Sequence, residues 1–191
     1  MAFLPDAPES ETSRRLFDAD HDAHGYVWNF TRLWAWRPDF LEQFVKLRLD
    51  LMEASALTDR DFAVLVAAAA STLGDSYCSF AWGEKLTKLS DADTAAAVLA
   101  GTPQPDGLSE REAALGEWAR QVVRDPNATT DAGVDRLRTA GLDDREIFDA
   151  TLFVALRLAF STVNDALGAS PDPQLVDRVP DPVRRAVTYG R

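Results

Sequence analysis

The sequence predicts an all-α protein, a multihelical bundle of about eight helices. Three observations point to this fold class. No stretch alternates apolar and polar residues in the way that a half-buried strand does. Residues 62–73 are nearly all Ala, Val, Leu and Phe, a run that is too long for a typical buried strand and suits a core helix. Several further apolar segments begin at helix-capping residues, and 191 residues suffice for one domain with its own core.

The N-terminal part of the chain is expected to form an arm followed by helices. Residues 1–13 contain Pro5 and Pro8 and bury little, so we interpret them as a solvated arm, with a short helix over residues 14–24. Pro38 should end one helix and open the next, because proline is accepted in the first turn of a helix and disfavours helix just before it. Residues 40–52 then place apolar side chains at helical spacing.

Three tryptophans lie around this junction, at Trp28, Trp34 and Trp36. They suit anchors in the core or in a subunit interface. They also suit the wall of a ligand pocket, and both interpretations stay open at this point.

Three helix starts share one pattern, in which a leucine is followed by a capping residue and then by an acid three positions later. The capping residues are Thr58, Ser109 and Asp143, and at Thr58 the acid is Asp61, which predicts a capping box. The first and third starts each open a helix rich in Ala, Leu, Val and Phe, which would suit two related helical halves. Ordinary, unrelated helix starts are the simpler explanation, because caps of this kind are common.

The remaining segments complete the predicted organisation. Residues 90–99 form a short capped helix, residues 101–107 form a loop, and a helix capped by Thr130 is stopped by Gly141. Beyond Gly168 the chain is rich in proline. We therefore expect the helical domain over residues 14–168 and a Pro-rich tail over residues 169–191.

Composition argues against several classes of function. The formal net charge is -11, with 31 acidic against 20 basic residues, and the basic residues are scattered along the chain. Binding to nucleic acid or to an anionic membrane is therefore not expected. The N-terminal residues lack the basic and then apolar pattern of a signal peptide, and the longest apolar run is too short to span a bilayer. A single cysteine cannot form an internal disulfide, and we expect a cytoplasmic protein.

The single cysteine lies at a chemically distinctive place. Gly74 and Asp75 stop the apolar helix, and Asp75 is a natural N-cap of the next helix, which puts Cys78 in its first turn. Unpaired backbone N–H groups and the positive end of the helix dipole favour a reactive thiolate there, whereas the charge of Asp75 disfavours it. From the residues alone, a buried and inert thiol and a reactive one are equally good interpretations.

The only two histidines, His21 and His24, lie three residues apart among aspartates. Such a pair could ligate a metal ion, but no third ligand follows at a matching spacing, which favours a structural or surface role. We predict no metal site and no cofactor.

Three segments, residues 25–44, 57–78 and 124–168, resemble the AhpD-like superfamily. The resemblance is to the peroxidase-related branch of the carboxymuconolactone decarboxylase group, the group of the alkylhydroperoxidases. It implies an all-helical subunit that assembles into trimers or hexamers and has an antioxidant, peroxide-reducing activity. Active members carry the motif C-x-x-C-x-x-x-H at the start of a helix and a glutamate on the preceding helix. In that scheme the second cysteine attacks the peroxide, the first resolves the sulfenic acid, and the histidine and glutamate relay protons.

Carried onto this sequence, the resemblance retains only part of that motif. Cys78 matches the attacking cysteine, and Tyr77 precedes it as is common in the family. Asp75 stands in the place of the resolving cysteine and Trp82 in the place of the histidine. The nearest acid on the preceding helix is Asp61. Turnover at Cys78 would therefore need an external thiol or the Cys78 of a neighbouring subunit.

Three functions follow from this pattern. The first is a single-cysteine peroxidase that uses Cys78 and an external thiol reductant. The second is a divergent enzyme in which Asp75, Glu84 or Asp61 performs acid–base chemistry beside Trp82 on a small organic acid or lactone, as in a decarboxylase. The third is a non-catalytic oligomer that binds a ligand or a protein and has lost the chemistry. Residues expected to contact a substrate are Trp82, Tyr77 and Trp28.

Overall fold

The computed structural model describes residues 2–191, and in this range the backbone forms eleven α-helices, one 3-10 turn and no β-strand. The all-α prediction is therefore confirmed. Eight of these helices have eight or more residues, in agreement with the predicted number, and three have six. None of the helices within residues 2–191 combines the length and the apolar content that crossing a membrane requires. The helices are α1 (Glu11–His24), α2 (Asn29–Trp34), α3 (Pro38–Ala54), α4 (Asp59–Leu73), α5 (Ser76–Leu89), α6 (Ala92–Leu99), α7 (Glu110–Arg124), α8 (Asp131–Thr139), α9 (Asp144–Ala166), α10 (Pro173–Arg178) and α11 (Asp181–Ala186), and the 3-10 turn is Pro126–Ala128.

Side-chain caps decide where the central helices begin. Thr58, Ser109 and Asp143 each accept a hydrogen bond from the backbone N–H three residues further on. The acid at that third position in turn accepts one from the N–H of the capping residue, so that two otherwise unpaired donors are satisfied. The capping pattern recognised in the sequence is confirmed at all three starts. Pro38 is the first residue of α3, also as predicted.

The core is built around α4, which packs against α5, α7 and α9. Every residue from Asp61 to Ala70 is buried. The ring of Phe62 on this helix lies 4.5 Å from that of Phe153 on α9, measured between centroids. A helix that is apolar on all sides must be enclosed by others. The start of α5, which follows α4 after a single tight turn, is thereby held inside the protein.

The first helix begins earlier than the sequence suggests. α1 starts at Glu11 instead of residue 14, because Ser10 and Ser13 form a capping box in which each hydroxyl accepts the backbone N–H of the other residue. Serine at the third position is a weaker sequence signal than the usual Glu or Gln. Of the residues before this helix, Phe3 donates its backbone N–H to the carbonyl of Leu167 at 2.8 Å. Met1, which belongs to the predicted arm, lies outside the described residues.

The Pro-rich C-terminal segment contains two short helices that cover part of the core. α10 and α11 each have a proline in the first turn, where proline favours a helix start. α10 packs against α5, and α11 packs against α5 and α6. Leu175, Val179 and Val183 are at most 1% exposed. This segment therefore encloses the outer side of α5, the helix that carries the cysteine.

Candidate active site

The junction between α4 and α5 fixes the position of Cys78. Gly74 adopts φ 84°, a left-handed conformation that glycine reaches without strain, and ends α4. Asp75 then caps α5, because its Oδ1 accepts the backbone N–H of Cys78 at 2.9 Å. The predicted cap and the predicted place of Cys78 in the first turn of α5 are both confirmed.

The sulfur of Cys78 is buried and faces α9. Only 2% of the residue is exposed. Arg157 donates to Sγ from Nη2 at 3.0 Å, and Ser161 donates to it from Oγ at 3.5 Å. Arg157 and Ser161 lie four residues apart, so both side chains extend from one face of α9. A guanidinium at this distance favours a negatively charged sulfur.

Aromatic rings hold Arg157 in place. Its guanidinium carbon lies 4.7 Å from the ring centroid of Phe160 and 5.6 Å from that of Trp82, which are cation–π distances. Arg157 is 7% exposed, and its Nε is a buried donor with no hydrogen-bond partner in the described part of the chain. Buried N–H groups without an acceptor are rare and costly, which makes this atom unusual.

Burial raises the pKa of the Cys78 thiol from the ordinary 9.0 to about 12. The positive charge of Arg157 lowers the pKa, the negative charge of Asp75 raises it, and the hydrogen bond from Ser161 lowers it. The side chain is therefore a neutral thiol at physiological pH. Any attack by the sulfur requires that its proton leave first.

A cavity of about 140 Å³ lies beside this sulfur. An engineered cavity of about 150 Å³ in another protein binds benzene, so the space at Cys78 suits a molecule the size of a single ring. The lining is largely aromatic and aliphatic and is supplied by α2, α3, α5 and α9. The lining residues are Phe30, Phe44, Val45, Arg48, Tyr77, Cys78, Ala81, Trp82, Arg157 and Phe160.

Three larger depressions occur on other parts of the surface. One, of about 740 Å³, follows α7 and α8, a second, of about 590 Å³, follows α1 and α3, and a third, of about 610 Å³, lies between residues 2–6 and α2. None of them is lined by the cysteine. The smaller cavity is lined by Cys78, which is a possible nucleophile. We therefore take this cavity as the candidate active site.

Arg48 of α3 is a second cation at this cavity. Burial lowers the pKa of its guanidinium and the charge of Arg157 lowers it further, whereas Cys78 raises it. The cavity lining therefore carries two guanidinium groups and no carboxylate, and Asp75, which caps α5 beside Cys78, is the one acid that we find next to this site within residues 2–191.

Tyr77 and Trp82, both predicted to contact a substrate, lie in the cavity lining. The hydroxyl of Tyr77 donates to the carboxylate of Asp172, and burial raises the pKa of both groups. Trp82 is 7% exposed and occupies the position at which the resemblance places a histidine. Trp28 packs against Tyr77 with 6.5 Å between ring centroids and is not among the lining residues.

Glu84 and Asp61, two of the predicted catalytic residues, lie outside the cavity lining. Glu84 accepts hydrogen bonds from Lys88 at 2.7 Å and from Arg178 at 3.3 Å. Burial raises the pKa of its carboxyl, but these hydrogen bonds outweigh burial, and the pKa is lowered overall. Asp61 completes the cap of α4 and lies 3.5 Å from Nε of Arg111. Of the four predicted catalytic residues, the structure places Cys78 and Asp75 in contact, through the hydrogen bond from the backbone N–H of Cys78 to Asp75.

Three polar residues that contact the sulfur or line its cavity, Arg48, Arg157 and Ser161, are not among the residues predicted from the sequence. A signal for one of them is present. Arg157 is the only charge in the run LFVALRLAF of α9. A lone charge within an apolar helix face needs a partner or a polar site, and here that site is the sulfur of Cys78.

His21 and His24 lie in the last turn of α1. The ring of His24 meets that of Trp28 edge-on, with 4.9 Å between centroids. Within residues 2–191, no group of three or more His, Cys, Asp or Glu side chains is arranged to hold a metal ion.

Comparison with known proteins gives matches among solved structures. No family model matches the chain, and no curated protein sequence matches it. A peroxidase-related protein from Ralstonia eutropha JMP134, described as an alkylhydroperoxidase AhpD core, is 22% identical with a TM-score of 0.79 and covers 91% of this chain and 94% of its own. A peroxidase-related protein from Silicibacter sp. TM1040 is 21% identical with a TM-score of 0.76, covering 91% of this chain and 90% of its own. The chain therefore has the AhpD-like helical fold, as the resemblance in sequence predicted.

A third similar structure is the debrominase Bmp8. It is 14% identical with a TM-score of 0.76 and covers 94% of this chain and 97% of its own. A cysteine-to-alanine variant of Bmp8 has been solved in complex with 2,3,4-tribromopyrrole, and it superposes with a TM-score of 0.73.

Proposed function

We propose that the protein is a single-cysteine, peroxidase-related oxidoreductase that reduces a small organic hydroperoxide at Cys78 with electrons from an external thiol. The observation that carries this proposal is the 3.0 Å hydrogen bond from Nη2 of Arg157 to Sγ of Cys78 at the wall of a small apolar cavity. A cationic donor beside a sulfur stabilises the thiolate, and the thiolate is the nucleophilic form of cysteine.

The first half-reaction oxidises the sulfur. The thiol proton leaves, and the thiolate attacks the terminal oxygen of the hydroperoxide. An S–O bond forms, the O–O bond breaks, and the alcohol departs with one proton. The sulfur is thereby oxidised by two electrons to a sulfenic acid, and the peroxide is reduced.

The second half-reaction restores the thiol. Cys78 is the only cysteine of the sequence, so an external thiol attacks the sulfenic acid, releases water and forms a mixed disulfide. A second external thiol then releases a free disulfide and regenerates Cys78. The stoichiometry is one hydroperoxide reduced for two thiols oxidised.

Asp75 is the residue that we propose to receive the thiol proton. It is fully buried, its Oδ1 accepts the backbone N–H of Cys78, and its Oδ2 has no hydrogen-bond partner in the described part of the chain. A free carboxylate oxygen beside the nucleophile supplies the acceptor that the tryptophan at position 82 does not. Arg157 compensates the charge that develops on sulfur.

The proposal is tested by the loss of tert-butyl hydroperoxide in the presence of dithiothreitol. Cys78→Ser should abolish turnover above the background without protein. The matched control is the double variant Cys78→Ser with Lys88→Cys, which moves the single thiol to another position on the same helix. Because Lys88 is 69% exposed, this variant keeps one thiol per chain but has none in the cavity. This control should also be inactive. Trapping of a sulfenic acid at Cys78 by dimedone, read by mass, identifies the intermediate.

Other outcomes separate the alternatives. Full turnover in Cys78→Ser refutes the proposal. If Asp75→Asn alone is damaging, acid–base chemistry on a small organic acid or lactone is the better description. If neither substitution changes any turnover, the protein is a non-catalytic homologue that binds a small molecule, and ligand-dependent thermal stabilisation becomes the relevant measurement.

Reductive dehalogenation is a second candidate, favoured by the aromatic lining and the single-ring size of the cavity. The similarity to the debrominase Bmp8 also supports it. In this reaction the thiolate takes the bromine as an S–Br adduct, a proton replaces bromine on the ring, and two external thiols return the sulfur to the thiol and release bromide. Incubation with 2,3,4-tribromopyrrole and dithiothreitol tests it, since Cys78-dependent release of bromide is required.

We further propose that the protein works in the cytoplasm as a homo-oligomer, a trimer or hexamer as the resemblance implies. Phe40 and Leu47 on α3 and Phe148 on α9 are large apolar side chains that are 51%, 51% and 67% exposed, which supports burial against a further copy. Light scattering after size exclusion should give three or six times the 21.0 kDa of one chain. A monomer at micromolar concentration contradicts this proposal.

A further inference from the structure

The lining of the cavity at Cys78 contains two guanidinium groups and no carboxylate, and the buried acid beside Cys78, Asp75, is one negative charge against these two. Arg157 is 7% exposed, its Nη2 contacts the neutral thiol, and its Nε has no acceptor within residues 2–191. Arg48 lines the same cavity. Two other partly buried arginines are paired with acids, since Arg60 lies 2.6 Å from Glu112 and Arg111 lies 2.6 Å from Glu146, and the buried Arg120 donates to the carbonyl of Val98 at 2.6 Å.

This contrast is informative because acids are abundant in the chain, which has 31 of them against 20 basic residues. An unpaired cation in apolar surroundings is costly, and two in one cavity repel each other. The apolar walls also screen the two charges poorly, so they attract an anion strongly. An anionic group in the cavity would supply the missing acceptor for Nε of Arg157 and a second negative charge, beside that of Asp75, for the two arginines.

We propose that the cavity beside Cys78 binds a compact molecule of about one ring as its anion, with the anionic group held by Arg48 and Arg157. The ring-sized remainder packs against Phe160 and Trp82, which already flank Arg157. A guanidinium forms paired hydrogen bonds with a carboxylate, which makes a carboxylate the favoured anion. The proposal deepens the proposed function and rests on it only for the identity of the reacting atom.

Binding can be measured without turnover, with benzoate as the probe and benzamide as its neutral match. Calorimetry on the full chain should show benzoate binding at least about tenfold more tightly than benzamide, since hydrogen bonds between charged groups are stronger than those to a neutral amide. Arg48→Met should remove this preference, because it keeps an unbranched apolar stem but not the guanidinium charge. Arg48→Lys should keep most of it.

Lys46→Met is the matched control, because this lysine lies on the same helix but is 73% exposed and paired with Asp50. It should leave the preference for benzoate unchanged. Equal affinity for the two probes, no binding of either, or a preference that survives in Arg48→Met overturns the proposal. Light scattering on Arg48→Met adds a further check: a change of oligomeric mass would identify an acid of a second copy as the counter-ion and also overturn it.

The location of the bound anion is tested by alkylation of Cys78. Benzoate should protect the thiol from iodoacetamide in the wild-type protein, and benzamide at the same concentration should not. Labelling that is indifferent to saturating benzoate places the anion elsewhere and overturns the proposal. Failure of the proposed function gives a different result. In that case Cys78→Ser retains turnover of the neutral tert-butyl hydroperoxide, but the wild-type protein still binds benzoate more tightly than benzamide.

Discussion

The pH dependence of Cys78 reactivity follows directly from where the thiol lies. Burial raises its pKa from 9.0 to about 12, so at neutral pH the native protein should hold about 1,000-fold less thiolate than an unfolded chain. Because the chain has one cysteine, any labelling by iodoacetamide reports this residue alone. We expect the rate constant to rise about tenfold per pH unit through pH 9 and 10, where an ordinary thiol levels off.

Asp75→Asn is the perturbation that tests the cause. Asn still accepts the backbone N–H of Cys78 and caps α5, but it removes the negative charge that raises the pKa. The labelling rate at pH 8 should increase by about tenfold, the lower end of what a neighbouring charge does to a pKa. Glu84→Gln is the control, because it removes a charge from the same helix at a site outside the cavity.

Burial also limits the access of iodoacetamide to the thiol. Poor access lowers the labelling rate by the same factor at every pH, so it does not change the pH at which the rate levels off. The shape of the profile therefore separates the two effects. A plateau near pH 9 in the native protein, or slower labelling in Asp75→Asn, refutes the reasoning. Circular dichroism at each pH checks that the helices remain intact.

Three further predictions concern stability, each read from thermal or urea unfolding. Trp34→Phe loses a 2.8 Å hydrogen bond to a fully buried asparagine and should cost about 1–3 kcal/mol, whereas Trp36→Phe, at a 43% exposed ring, should cost little. Gly83→Ala places a methyl group 2.7 Å from Cγ1 of Val183 and should lower the free energy of unfolding by about 1–3 kcal/mol. Adding Val183→Ala removes the clash, so the double variant should regain part of this loss. Burial and a neighbouring carboxylate raise the pKa of Asp165 from 3.8 to about 6. The folded protein therefore favours the protonated carboxyl, and the free energy of unfolding should fall as the pH rises from about 4 to about 6. Asp165→Asn should be more stable than wild type at pH 7 and should not show this decline.

Much of the fold could be predicted because its determinants are local. The capping boxes at Thr58, Ser109 and Asp143 need only four consecutive residues, and each is present in the structure. The turn at Gly74 and the cap at Asp75 are of the same kind, which is why the position of Cys78 in the first turn of α5 could be derived from the sequence.

The rest of the site depends on contacts between residues that are far apart in the chain. Arg157 reaches Cys78 from 79 positions away, and only the packing of α9 against the core brings them together. Arg48 comes to the same cavity from α3. Capping and periodicity describe single helices and carry no information on which of their faces meet.

The C-terminal segment shows a further limit of local reasoning. Its prolines indicate a tail, but proline is also favoured in the first turn of a helix, and here it starts both α10 and α11. Leu175 and Val183 are the residues that decide between these interpretations, because both are fully buried. Burial depends on the partner surface, which the segment itself does not encode.

In the proposed peroxidase function, the size of the space beside Cys78 also limits which electron donors can reach the oxidised sulfur. A folded redox protein cannot follow its substrate into about 140 Å³, so only low-molecular-weight donors should reach the spent sulfur. Cys78 is the only cysteine of the sequence, so the chain has no second thiol with which to carry the oxidation outward to its surface as a disulfide. Recovery after each cycle should accordingly follow the cellular concentration of free small thiols, and its speed should be insensitive to thioredoxin-like partners.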